Sequence, residues 1–86
     1  MRTYVSAPYS QGKQGLACDG VALAPIAQDV GTPVFVYSAR AIREAYTAID
    51  RAFAGYPHAI HYALKANSSL AIVRLLQWCG AHADAN

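Results

Sequence analysis

Apolar side chains at Ile42, Tyr46, Ile49 and Phe53 recur four, three and four residues apart, the stripe of a helix buried along one face. The spacing predicts a helix over 39–54, with Ser38 as its N-cap and Gly55 and Pro57 marking its end. Arg40, Arg43, Glu44, Asp50 and Arg51 fall largely on its other faces. A second helix is predicted over 70–79. Ser68 or Ser69 caps it, Leu70, Val73, Leu76 and Gln77 turn inward, and Gly80 stops it. A shorter helix over 24–30 has Pro25 in its first turn and Gly31 at its exit.

Between these helices the period changes. Residues 59–66 are apolar at nearly every position, the pattern of a strand covered on both faces, as in a parallel sheet. Val34, Phe35, Val36 and Tyr37 are strand formers that follow Pro33, and 83–86 begins another strand. Helices alternating with strands in this way predict a parallel α/β sheet. Upstream, residues 1–15 are rich in Ser, Gln and Gly and predict a loosely ordered lead-in. A turn follows through LACDG, 16–20, where Asp-Gly is the signal.

Size limits this architecture. Two strand–helix units fall short of a closed barrel, which takes about 250 residues. The closing run GAHADAN heads into a strand without a turn or cap, so the sequence is expected to be a piece of a longer protein. Of its 86 residues 55% are hydrophobic and 14% charged, a globular composition. The net charge of +2, without a Lys/Arg cluster, argues against nucleic acid as a partner. No apolar stretch reaches the ~18 residues of a membrane helix, and MRTYVSAPYSQGKQG lacks the apolar core of a secretory signal. Cys18 and Cys79 form no CxxC pair, and the three histidines complete no metal-ligand spacing. Buried thiols in a reduced, cytoplasmic protein are the expectation.

Lys65 changes the picture. It sits in HYALKAN, 61–67, at the C-terminal end of its predicted strand, where α/β sheets and barrels carry their active sites. Alternation puts Lys65, Ala63 and His61 on one face and Tyr62, Leu64 and Ile60 on the other. Ala63 leaves space beside Lys65 for something flat. In a central strand the amine would stand in a partly apolar mouth, where desolvation favours its neutral form and makes it a nucleophile for a carbonyl. By residue type alone, a lysine ending a strand is usually a solvated cation, and spacing does not choose between the two. His61 reads more simply as a packing residue than as a ligand. Tyr37, Tyr46 and Tyr62 read as core.

The run Tyr62-Ala63-Leu64-Lys65-Ala66-Asn67, followed by SSLAIVRLLQWCG, resembles the pyridoxal-phosphate attachment signature of the ornithine/diaminopimelate/arginine decarboxylase family. The match takes in the aromatic-Ala-x-Lys-Ala-Asn core, the apolar positions Ile72, Val73 and Leu76, and the closing Gly80. The stretch LACDGVALAPIAQDVGTPVFVYS is similar to the leader of that family's diaminopimelate branch, so residues 16–86 are all covered. The resemblance implies an alanine-racemase-like (β/α)8 barrel that begins over 34–86. It also implies that the leader, 1–33, contributes to a second, all-β domain. Lys65 becomes the catalytic residue and attachment point of pyridoxal 5'-phosphate, with Ala63 against the cofactor, Asn67 shaping the turn beside it and Asp84 near the point of attachment.

The implied activity is that of a cytoplasmic, homodimeric carboxy-lyase with a small amino-acid substrate, meso-2,6-diaminopimelate, giving L-lysine. Ornithine, arginine and carboxynorspermidine are the alternatives within the family. A non-enzymatic pyridoxal-phosphate-binding barrel is the alternative outside it, and such proteins lack the leader. The resemblance places the glycine-rich phosphate loop, the acid for the pyridine nitrogen, and a cysteine and tyrosine donated across the dimer after Asn86. These 86 residues alone are therefore expected neither to hold the cofactor tightly nor to catalyse.

Overall fold

Lys13 and Gln14 make a two-residue turn between β1 (Tyr9–Gly12) and β2 (Gly15–Cys18), which pair antiparallel with Gly12 opposite Gly15. Gly15 adopts φ +90°, a conformation that a side chain would strain. The computed structural model describes residues 7–84. This hairpin corrects the loosely ordered lead-in from Tyr9 onward, while residues 1–6 lie outside the described residues. Its polar sequence, YSQGKQG, carries no apolar alternation, and four strand residues in β1 are all exposed. Backbone pairing rather than burial defines it. β3 (Val21–Ala22) adds to β2 across the expected Asp19-Gly20 turn.

The first helix, α1 (Leu23–Val30), follows directly, with Pro25 in its first turn and the Gly31 N–H donating to the Ala27 carbonyl at 2.8 Å. The strand expected over 34–37 is absent. These residues adopt no regular secondary structure and find no ladder partner among the described residues, and Phe35 is 84% exposed. Val, Phe and Tyr favour a pleated, half-buried surface, and without a neighbouring strand that preference has nothing to act on. Tyr37, expected in the core, is exposed as well.

Ser38 ends this segment and caps α2 (Ala39–Ala52): its Oγ accepts from the Ala41 N–H at 3.0 Å. The Ser38 hydroxyl in turn donates to the Asp19 carboxylate, which also takes the Arg40 Nε at 2.8 Å. Contacts divide the chain into two compact units, one reaching through Ala41 and the other beginning at Ile42.

The second unit is a β–α–β element preceded by most of α2. β4 (His61–Ala63) and β5 (His82–Asp84) pair in parallel, joined by α3 (Leu70–Cys79). The parallel α/β arrangement expected from the alternation of elements is therefore present in this unit. Gly80 ends α3 in a left-handed conformation, its N–H reaching the Leu76 and Gln77 carbonyls. Ile72 and Ala81 form the buried centre. The inward face of α3 thus runs through Ile72, Leu76 and Cys79, which are three to four residues apart. Leu70 and Gln77, expected to turn inward, lie off that stripe and are exposed. β5 starts one residue before its expected position, and Ala85 and Asn86 lie outside the described residues. Among the described residues no helix is long and apolar enough to cross a membrane.

Candidate active site

β4 is shorter than the strand expected over 59–66. It stops at Ala63, and Leu64 to Ala66 form a turn closed by the Ala66 N–H on the Ala63 carbonyl at 3.0 Å. Lys65 therefore sits in the turn leaving the strand rather than on the strand itself. The expected alternation survives through it. His61, Ala63 and Lys65 are exposed, while Ile60, Tyr62 and Leu64 are half-buried. Ile60 and Tyr62 line an apolar groove of about 400 Å³ together with Ile42, Tyr46, Ile49 and Leu76, so the helices cover that side.

The opposite face is bare among the described residues, which corrects the expectation of a strand covered on both sides. Lys65 is exposed there instead of standing in an apolar mouth. Its ammonium has no ion pair or hydrogen bond to another described residue.

The ladder brings the other candidates to this face. Ala63 lies opposite Asp84, and His61 opposite His82, whose rings stack at 5.1 Å between centroids. The Leu64 N–H donates to the Asp84 carbonyl at 3.0 Å, which ties the start of the Lys65 turn to the end of β5. Lys65, Ala63 and Asp84 thus share one edge of one face. Asn67 stands apart from them in role. Its Oδ1 accepts from the Ser69 N–H at 2.9 Å, and its carbonyl accepts from the Tyr62 hydroxyl at 2.6 Å. Ser69 occupies the N-cap position of α3 but makes no side-chain cap bond, and Asn67 instead accepts from the N–H of Ser69 itself, an Asx turn that leads into the helix.

The alanine beside this strand-end amine leaves room for a flat group against the sheet, and condensation of the amine with an aldehyde would require it neutral, the form that exposure disfavours. The residues present fit such a group on its aldehyde side. A length of chain with this chemistry at the end of a parallel strand has relatives. A diaminopimelate decarboxylase of Pseudomonas aeruginosa is 45% identical over 69 residues, which is 80% of this chain and 17% of the relative. The chain is a relative of the diaminopimelate decarboxylases. One from Aquifex aeolicus is 44% identical over 79 residues, 90% of this chain and 18% of the relative, and one from Vibrio cholerae is 39% identical over 69 residues. The chain spans about one-sixth of the length of the curated relatives it matches. No family model matches it, and no solved structure does.

Sequence reasoning missed one residue of the site region, Tyr62. Its ring reads as core, and only the structure shows its hydroxyl on the Asn67 carbonyl. The Asp19–Ser38–Arg40 cluster was also not legible, because its members are 19 and 21 residues apart.

Proposed function

We propose that these residues belong to a pyridoxal-phosphate-dependent decarboxylase that converts meso-2,6-diaminopimelate to L-lysine and carbon dioxide, with Lys65 as the attachment point of the cofactor. The observation that carries the reading is the 45% identity to a diaminopimelate decarboxylase over a segment that includes Lys65 and its turn. The relatives from Pseudomonas aeruginosa, Aquifex aeolicus and Vibrio cholerae all bear that one name, which favours diaminopimelate over ornithine, arginine and carboxynorspermidine.

When bound, pyridoxal phosphate supplies an aldehyde that condenses with amines and a ring that accepts the electron pair released by departing carbon dioxide. The chain's own residues do the rest from one face. Lys65 offers the amine, and it must be neutral to attack. Covering the bare face with further strands of a (β/α)8 barrel would remove water from it and favour that form. Ala63, with nothing beyond Cβ, keeps the flank beside the amine clear. Asp84, opposite Ala63 in the ladder, brings a carboxylate to the same edge, where it can hold a proton near the amine. Asn67 fixes the turn that presents Lys65.

In this reading β4, α3 and β5 are the early part of the barrel, the leader contributes to a second, all-β domain, and the enzyme works as a cytoplasmic homodimer on a small amino acid. The phosphate-binding and pyridine-binding groups come from the remaining length of the family. The test compares release of carbon dioxide from meso-diaminopimelate, ornithine and arginine by the complete polypeptide carrying these residues. Turnover of diaminopimelate by at least tenfold over the other two, about 1.4 kcal/mol of discrimination, is the expected result. Preference for ornithine or arginine would move the protein to a sister activity, and cofactor binding without turnover would make it a carrier.

A further inference from the structure

The hydroxyl of Tyr62 has no part in the proposed chemistry, yet it occupies a telling place. The ring lies on the helix-covered side of β4, in the groove with Ile42, Tyr46 and Leu76, where a phenylalanine would pack as well. The hydroxyl adds one thing only, a hydrogen bond of 2.6 Å to the Asn67 carbonyl. Residues 62 and 67 bracket the turn that carries Lys65. At its start the backbone is held by the Leu64 N–H on the Asp84 carbonyl, and across its middle by the Ala66 N–H on the Ala63 carbonyl. Beyond Ala66, the Tyr62 hydroxyl is the bond that returns the chain to β4, while Asn67 Oδ1 passes the restraint on to α3 through Ser69.

We propose that Tyr62 is a positioning residue: from the far side of the sheet, its hydroxyl fixes the turn that aims the Lys65 amine. The proposal rests on the reading of Lys65 as the attachment lysine. A lysine side chain has four rotatable bonds and no partner here, so the direction of its Cα–Cβ bond is the protein's main control over where the amine goes. Losing the hydroxyl would free the Asn67 carbonyl and let the turn rock about its Leu64 anchor. Reactions that depend on placing two atoms together are sensitive to shifts of that kind.

The experiment uses the complete polypeptide with pyridoxal phosphate. Borohydride fixes the cofactor to the amine it has reached, and mass spectrometry follows the rate at which Lys65 is labelled. Tyr62→Phe is expected to slow labelling of Lys65 about fivefold, the scale of one hydrogen bond, while the midpoint of thermal unfolding stays within a few degrees. Replacing Tyr62 by p-aminophenylalanine, which returns a donor at the same reach, is expected to restore the rate to within about twofold of the parent. A Tyr62→Phe protein that labels at the parental rate overturns the proposal, and so does a slowed rate that the amine-bearing variant fails to restore. Should Tyr62→Phe not fold, the p-aminophenylalanine variant is compared with p-methylphenylalanine, which fills the same reach without a donor; equal rates for the two overturn the proposal. Absence of label at Lys65 in the unsubstituted protein is a different failure, that of the attachment lysine itself.

Discussion

Both ring nitrogens of His58 face acceptors: Nδ1 lies 2.8 Å from the Tyr56 carbonyl and Nε2 2.7 Å from the Asp50 carboxylate. Only the doubly protonated imidazolium donates to both. The Tyr56 carbonyl foremost, and then the Asp50 carboxylate, hold its pKa above the ordinary 6.5. A raised folded-state pKa means that the folded form binds the proton more tightly than the unfolded chain. The stabilisation is complete below pH 6.5 and is lost as pH rises through the raised value. His58→Gln is expected to flatten the fall in stability above pH 6.5, measured as the denaturation midpoint of the complete polypeptide against pH. An unchanged slope would remove His58 from the account. Gly80 makes a second residue-level case. At φ +115°, with Tyr46 Oη 2.9 Å from where a Cβ would stand, Gly80→Ala is expected to lose roughly 1–2 kcal/mol. Gly55 has open space and no such φ, so Gly55→Ala is expected to be neutral or to gain up to about 1 kcal/mol. Urea unfolding of the complete polypeptide carrying these residues separates the two.

At the scale of elements, the two long helices begin with different devices. Ser38 is buried, caps α2 through Ala41 and donates to Asp19, so Ser38→Ala should cost about 1–2 kcal/mol. Ser69→Ala should cost a few tenths at most, because its side chain makes no cap bond; Asn67→Ala, which removes the acceptor of the Ser69 N–H, should cost about 1 kcal/mol. A larger loss for Ser69 than for Asn67 would contradict this assignment.

The same contrast shows what the sequence could carry. The bounds of α3 and its Gly80 stop were legible because periodicity and a glycine C-cap are local signals. That neither Ser68 nor Ser69 makes a cap bond was not, since a serine before an apolar helix reads as a good acceptor on paper. The hairpin of β1 and β2 was hidden by polar, glycine-rich residues that pair through backbone alone. The opposite error occurred at 34–37, where strand-forming residues lack a partner. Propensity is written in one segment, whereas pairing requires two. The candidate site fared better: alternation placed Lys65 and Ala63 together, and only the ladder could add that Asp84 lies opposite Ala63.

For the molecule as a whole, burial is thin. Cys18, Ile72 and Ala81 are the buried apolar residues among those described, no large side chain among them is fully buried, and Trp78 remains 85% exposed. A core of that size does not offset the conformational entropy of 86 residues. The isolated chain is expected to bind a hydrophobic dye and to melt without a sharp transition. A cooperative melt without dye binding would contradict that. The exposed face of β4 and β5 fits the same picture, and the chain spans about one-sixth of the length of its relatives.

Lys65 as the attachment lysine is tested most directly by mapping. The complete polypeptide is loaded with pyridoxal phosphate, reduced with borohydride, digested, and its labelled peptide sequenced. The account predicts the label on Lys65, in the peptide containing HYALKAN, and its loss in Lys65→Ala. A label on any other lysine, Lys13 included, would contradict it.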